Sequence, residues 1–146
     1  MYNLYVRIIN NIKHMQINLK GKNIELTEQI KDYALKRVTN LEKLLSSMET
    51  EKGEINVYFE LGRSTEHHKS GLVFHSDCHI NINGKEFYAE SDKEDIYQAI
   101  DEIKDSLYED IRRNKERRST LFIRGARSVK KMLKGLSRRN PFTSKY

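Results

Sequence analysis

At 146 residues, with 37% hydrophobic and 33% charged positions, the chain is long enough for one domain with a real core plus extensions. No stretch approaches the ~20 apolar residues of a membrane span, and the N-terminus lacks the pattern of a signal peptide. A single cysteine, Cys78, rules out an intramolecular disulfide, so a soluble, cytoplasmic protein is expected. The net charge of +6 is unevenly laid out. Residues 1–111 carry 14 Lys/Arg against 20 Asp/Glu, a net of −6, whereas residues 112–146 carry 13 Lys/Arg against Glu116 alone, a net of +12. So concentrated a positive charge repels itself, and a polyanion relieves it through counterion release. Nucleic acid is the partner this implies.

Residues 1–14 read as an N-terminal extension in which Tyr5–Ile9 could form a short strand; an upstream start that is not used in the cell would also explain them. From Met15 the chain alternates, with Ile17 and Leu19 on one face and Gln16, Asn18 and Lys20 on the other, the mark of a half-buried strand. Thr27 is placed as an N-cap, and Ile30, Ala34, Val38, Leu41 and Leu45 predict one helix from about Glu28 to about Ser46. Ile55, Val57, Phe59 and Leu61 mark a second strand. A polar loop with His67, His68 and Gly71 leads to a third strand from about Leu72 to Ile82. Asn83-Gly84 signals a type I′ hairpin, with Phe87 and Ala89 on one face of the return strand and Tyr88 on the other. Asp92, with Asp95 three residues on, is expected to cap a last helix striped by Ile96, Ile100, Ile103, Leu107 and Ile111.

The resulting order, β-α-β-β-β-α, predicts an α+β two-layer sandwich: a four-stranded sheet with two helices on one face. The domain spans residues 15–118, and 119–146 form a basic C-terminal tail. Within the tail, Val129, Met132, Leu133 and Leu136 fall at helical spacing opposite Lys130, Lys131 and Lys134. Such a helix suits an anionic membrane or a protein groove. It is short, and Gly135 weakens it, so a tail that orders only on binding is expected.

Three segments, in order, resemble the ribosome hibernation promoting factors, also called ribosome-associated inhibitors: Met15 to Thr27, His67 to Phe74, and Glu94-Asp95-Ile96-Tyr97-Gln98-Ala99-Ile100-Asp101. The resemblance runs from about Met15 to Arg118. It implies a protein that binds the small ribosomal subunit, through ribosomal RNA, in the decoding region. There it would block messenger and transfer RNA and silence translation in stress or slow growth. Basic side chains of the family's helices and hairpin meet ribosomal RNA, and the matching positions are Lys22, Lys85, Arg112, Arg113 and Lys115; Arg117 and Arg118 extend that cationic helix end. Where many members carry Lys-Leu-Glu-Arg-Gln, this chain has Ser106-Leu107-Tyr108-Glu109-Asp110. The 28 residues after Arg118 are not expected to supply the long form's C-terminal dimerisation domain.

The sequence is compatible with two other readings. Tyr58 and Tyr88, with His75 and His79, are expected on the sheet face away from the helices. There they could stack bases in a general single-stranded RNA-binding module or simply pack across strands. His75, Cys78 and His79 suggest zinc and hence a zinc-dependent enzyme, but Cys78 faces away from the histidines on a strand. No Gly-rich phosphate loop or nucleophile motif is present. No enzyme activity, metal, cofactor, small-molecule substrate, DNA or membrane partner is therefore expected.

Overall fold

A computed structural model of the chain describes residues 6–9, 15–48, 54–64 and 73–138. The loop with His67, His68 and Gly71, and the last eight tail residues, lie outside these. The element order is β1 (Val6–Ile9), β2 (Met15–Lys22), α1 (Glu28–Thr39), α2 (Glu42–Ser46), β3 (Ile55–Ser64), β4 (Val73–Ile82), β5 (Lys85–Lys93) and α3 (Ile96–Arg138). The strands lie side by side in sequence order. β2 and β3 are parallel, joined through α1 and α2, and the remaining pairs are antiparallel. The predicted four strands are joined by β1, which pairs Val6 with Leu19 and Ile9 with Gln16. The chain divides into two compact units, Met1–Arg112 and Arg113–Tyr146.

In the first unit one face of the sheet is apolar. Met15, Ile17 and Leu19 of β2, Ile55, Val57, Phe59 and Leu61 of β3, Cys78, Ile80 and Ile82 of β4, and Phe87 and Ala89 of β5 are all buried. They form one cluster with Ala34, Val38, Leu41 and Leu45 and with the α3 stripe Ile96, Ile100, Ile103, Leu107 and Ile111. This is the predicted α+β sandwich. Gly21 is required at its place, because a Cβ there would lie 2.9 Å from Leu26 Cγ and 3.1 Å from the Ile24 carbonyl. Asn83 (φ 51°) and Gly84 (φ 75°) supply the two positive φ angles of the hairpin.

Thr27 caps α1 as expected, with the Ile30 amide donating to its Oγ1 at 3.3 Å. Three boundaries differ from the sequence reading. The first helix is divided: at Asn40 the ladder tightens, the Leu41 amide bonding the Val38 carbonyl at 2.9 Å, and α2 then restarts at Glu42 with Leu41 and Leu45 still facing the core. The cap of α3 is Asp95, not Asp92: the Tyr97 amide donates to Asp95 Oδ1 at 3.1 Å. Asp92 stays in β5 and meets His75 Nδ1 at 2.7 Å. Finally, α3 passes through residue 118 and continues to Arg138, so the expected ordering only on binding gives way to helix. No proline occurs before Pro141, and one continuous ladder avoids the cost of a new nucleus.

Candidate nucleic-acid interface

Each cation singled out from the sequence sits on a defined element. Lys22 closes β2, exposed and 4.0 Å from Glu60. Lys85 opens β5, half-buried beside the hairpin. The register separates the two. Lys22 lies opposite Gly62, then His75, then Asp92, whereas Lys85 lies opposite Ile82, then Ile55, then Met15. Seven strand positions at ~3.3 Å each put them about 23 Å apart along the sheet. They do not form one patch.

The first part of α3 covers a similar distance. Ile96 to Ile111 is about 22 Å of helix at ~1.5 Å per residue, and Ile100, Ile103 and Leu107 line the space around Phe59 in mid-sheet. Its exposed side is acidic. Glu102 accepts from Ser91 and lies 3.0 Å from Lys93, and these two partners hold its carboxyl below the usual range. Asp101 accepts from the Tyr33 hydroxyl at 2.9 Å and meets Arg37 Nε at 2.6 Å, tying α1 to α3. Arg37 also donates to the Tyr33 oxygen at 2.7 Å and stands 4.6 Å over its ring, a hydrogen bond that raises its pKa.

After Ile111 the sign reverses. Arg112 bridges to Glu109 at 2.9 Å, and Arg113, Lys115, Arg117 and Arg118 follow, all exposed. At ~100° per residue these cations are spread around the whole circumference. A helix cationic on every side suits an anionic groove that encloses it. Beyond Glu116 the sequence contains no Asp or Glu, and Arg124, Arg127, Lys130, Lys131 and Lys134 continue the charge along the same helix.

The sheet face away from the helices has the opposite character. Its neighbouring positions include Glu60, Asp77, Glu86, Glu90 and Asp92 against Lys20 and Lys22. Glu60, Asp77 and Glu90 lie directly opposite one another on three strands. Partial burial first, and then the Glu60 charge, raise the Asp77 pKa. Tyr58 and Tyr88 are 53% and 52% exposed, as expected. Tyr58 stacks on His79, with ring centroids 6.5 Å apart. Tyr88 donates to Glu90 at 2.7 Å, and that bond pushes its pKa up to about 12. A face with five carboxylates repels a phosphate backbone, so its aromatics serve cross-strand packing better than base stacking. The carboxylates at alternating positions of β3, β4 and β5 were visible in the sequence; their alignment into one row depended on register. Cys78 points into the core, fully buried, and desolvation pushes its thiol up to about 12. That is an inert packing cysteine.

The family model described as Sigma 54 modulation protein / S30EA ribosomal protein matches residues 17–119. The ribosome hibernation promoting factor of Salmonella typhimurium (strain LT2) is 30% identical over 104 residues, covering 70% of this chain and 96% of that protein. Its counterpart from Escherichia coli K12 is 29% identical over the same extent. The crystal structure of the Thermus thermophilus Protein Y N-terminal domain superposes with a TM-score of 0.51 at 24% identity, covering 71% of this chain and 98% of that one, a likeness of fold. The core apart from Met15, the caps, the hairpin and the start of the cationic helix fall inside the matched span, and the chain belongs to the Sigma 54 modulation protein / S30EA ribosomal protein family.

Proposed function

We propose that this protein binds the small ribosomal subunit in the decoding region and blocks messenger and transfer RNA, silencing translation by occupancy and without turnover. Family membership supports the ribosome as target. The observation that carries the RNA contact is the reversal of charge along α3: an acidic stretch to Asp110, then cations on every side from Arg112 to Arg118. Phosphate would be repelled by the sheet face and by α3 up to Ile111 and attracted to the helix beyond it. Arg112, Arg113, Lys115, Arg117 and Arg118 are the residues assigned to ribosomal RNA, with Lys85 at the hairpin and Lys22 at the far end of the sheet as separate, weaker contacts. A protein of this kind needs no cofactor and no small-molecule substrate, and it works in the cytoplasm, where ribosomes are.

The test is a titration in a reconstituted translation system, paired with chemical footprinting of 16S ribosomal RNA. Inhibition should saturate near one protein per ribosome, with protection confined to decoding-region nucleotides. Inhibition at far lower stoichiometry would indicate an enzyme, and protection elsewhere would relocate the site.

A further inference from the structure

The distal part of α3 has a second face that ribosomal RNA does not explain. Leu121, Phe122, Val129, Met132, Leu133 and Leu136 are 57–79% exposed. At ~100° per residue they fall within an arc of about 120°. Gly125 and Ala126 lie in or just beside that arc, with no acidic residue among them. Arg124, Arg127, Lys130, Lys131 and Lys134 occupy the opposite arc, also about 120° wide. Only Ile123 departs from this division. The matched family span ends at residue 119, before this segment begins.

We propose that residues 121–136 form a membrane-surface anchor, a helix about 24 Å long that lies in the interface of an anionic lipid bilayer. The two faces together select the occupant. RNA offers phosphates but no apolar phase for six large exposed side chains. A second copy offers an apolar stripe but brings like charge, with no Asp or Glu after Glu116 to form interhelical ion pairs. The apolar arc is also wider than the narrow seam of a coiled coil. An anionic bilayer supplies both an apolar boundary and negative headgroups, and the long lysine and arginine stems reach those headgroups from the side of a flat-lying helix. The sequence has no spanning segment and for that reason predicts no membrane partner. Among the described residues no helix is long and apolar enough to cross a membrane, and lying on one requires no such helix. This proposal is independent of ribosome binding.

The chain contains no tryptophan, so Phe122→Trp in the full-length protein introduces a single reporter at a position 79% exposed. With vesicles of mixed phosphatidylglycerol and phosphatidylcholine its emission should shift to the blue and the protein should float with the lipid. With phosphatidylcholine alone both effects should be lost. Exchanging Val129, Met132 and Leu133 for Gln should lower partitioning at least about tenfold, and exchanging Lys130, Lys131 and Lys134 for Gln about a hundredfold. All six positions are exposed, so neither triple variant touches the core, and circular dichroism of the unbound proteins verifies this. The proposal is overturned by an absence of binding to pure phosphatidylglycerol vesicles at low salt. It is equally overturned if the apolar triple variant partitions as well as the parent, which would mark a phosphate-only contact. A lipid-free blue shift accompanied by dimeric sedimentation, both abolished in the apolar variant, would assign the face to a second copy instead.

Discussion

Two stretches of one helix carry nearly the same pattern and meet opposite fates. Ile96, Ile100, Ile103, Leu107 and Ile111 are 0–6% exposed, while Leu121, Phe122, Val129, Met132, Leu133 and Leu136, at similar spacing, are 57–79% exposed. The first stretch faces the inward side of the sheet, which it covers together with α1 and α2. The second lies in a different compact unit, Arg113–Tyr146, with cations behind it. An amphipathic period therefore states that a face seeks cover and leaves open what supplies it.

The sharpest way to break this comparison is to shorten one side chain in each stretch. Leu107→Ala should cost about 2–5 kcal/mol, because it leaves a cavity beside Phe59. Leu133→Ala should stay within about 0.5 kcal/mol, as surface changes do. Urea titrations of the two variants measure the difference, and comparable losses would mean that the distal stripe is covered after all.

Deletion of residues 119–146 removes Arg124, Arg127, Lys130, Lys131, Lys134, Arg138, Arg139 and Lys145. The thermal midpoint should hardly move. Ribosome pelleting should persist at low salt and fall about 10- to 100-fold at physiological salt, where screening and counterion competition are stronger. A truncated protein that aggregates would expose the tail as part of the core.

Within the shorter protein, Arg112, Arg113 and Lys115 exchanged for Gln should lower ribosome affinity about tenfold. They should also flatten the dependence of log affinity on log salt by roughly 0.7–0.9 per lost phosphate contact. An unaltered slope moves the contacts to other residues.

Two smaller effects sharpen the contrast further. A Cβ at Gly125 or Gly135 would meet nothing within 4 Å. Each Gly→Ala change should therefore stabilise the distal helix by up to about 1 kcal/mol without altering the body, readable as slower amide exchange confined to that stretch. In the body, Asp77 has a raised pKa, first from burial and then from Glu60. Its ionised form is disfavoured by the fold, so this group's contribution is most favourable below its unfolded pKa and is lost as pH rises through the folded one. Asp77→Asn should thus raise stability at pH 7 by a few tenths to about 1 kcal/mol, with the gain disappearing in acid. A loss of stability at pH 7 would show that the Asp77 carboxylate is held by a favourable partner.

Local signals carried much of the fold. Strict alternation in β2 and β3, the Asn83-Gly84 pair and the Thr27 cap each depend on a few adjacent residues. For such residues backbone sterics and a single hydrogen bond decide the outcome, and the sequence determined them alone. The same holds for the charge reversal at Ile111, which is covalent order and needs no folding to exist. Tertiary structure decided what depends on distant partners. β1 became a strand because β2 offered it an edge; Asp92 stayed in β5 because His75 lay opposite, leaving the cap to Asp95. Register placed Lys22 and Lys85 at opposite ends of the sheet and gathered Glu60, Asp77 and Glu90 into one row that repels phosphate. Burial made one apolar stripe of α3 core and left the other open. Coulomb and hydrophobic energies act between side chains brought near in space, and only the folded chain sets those distances.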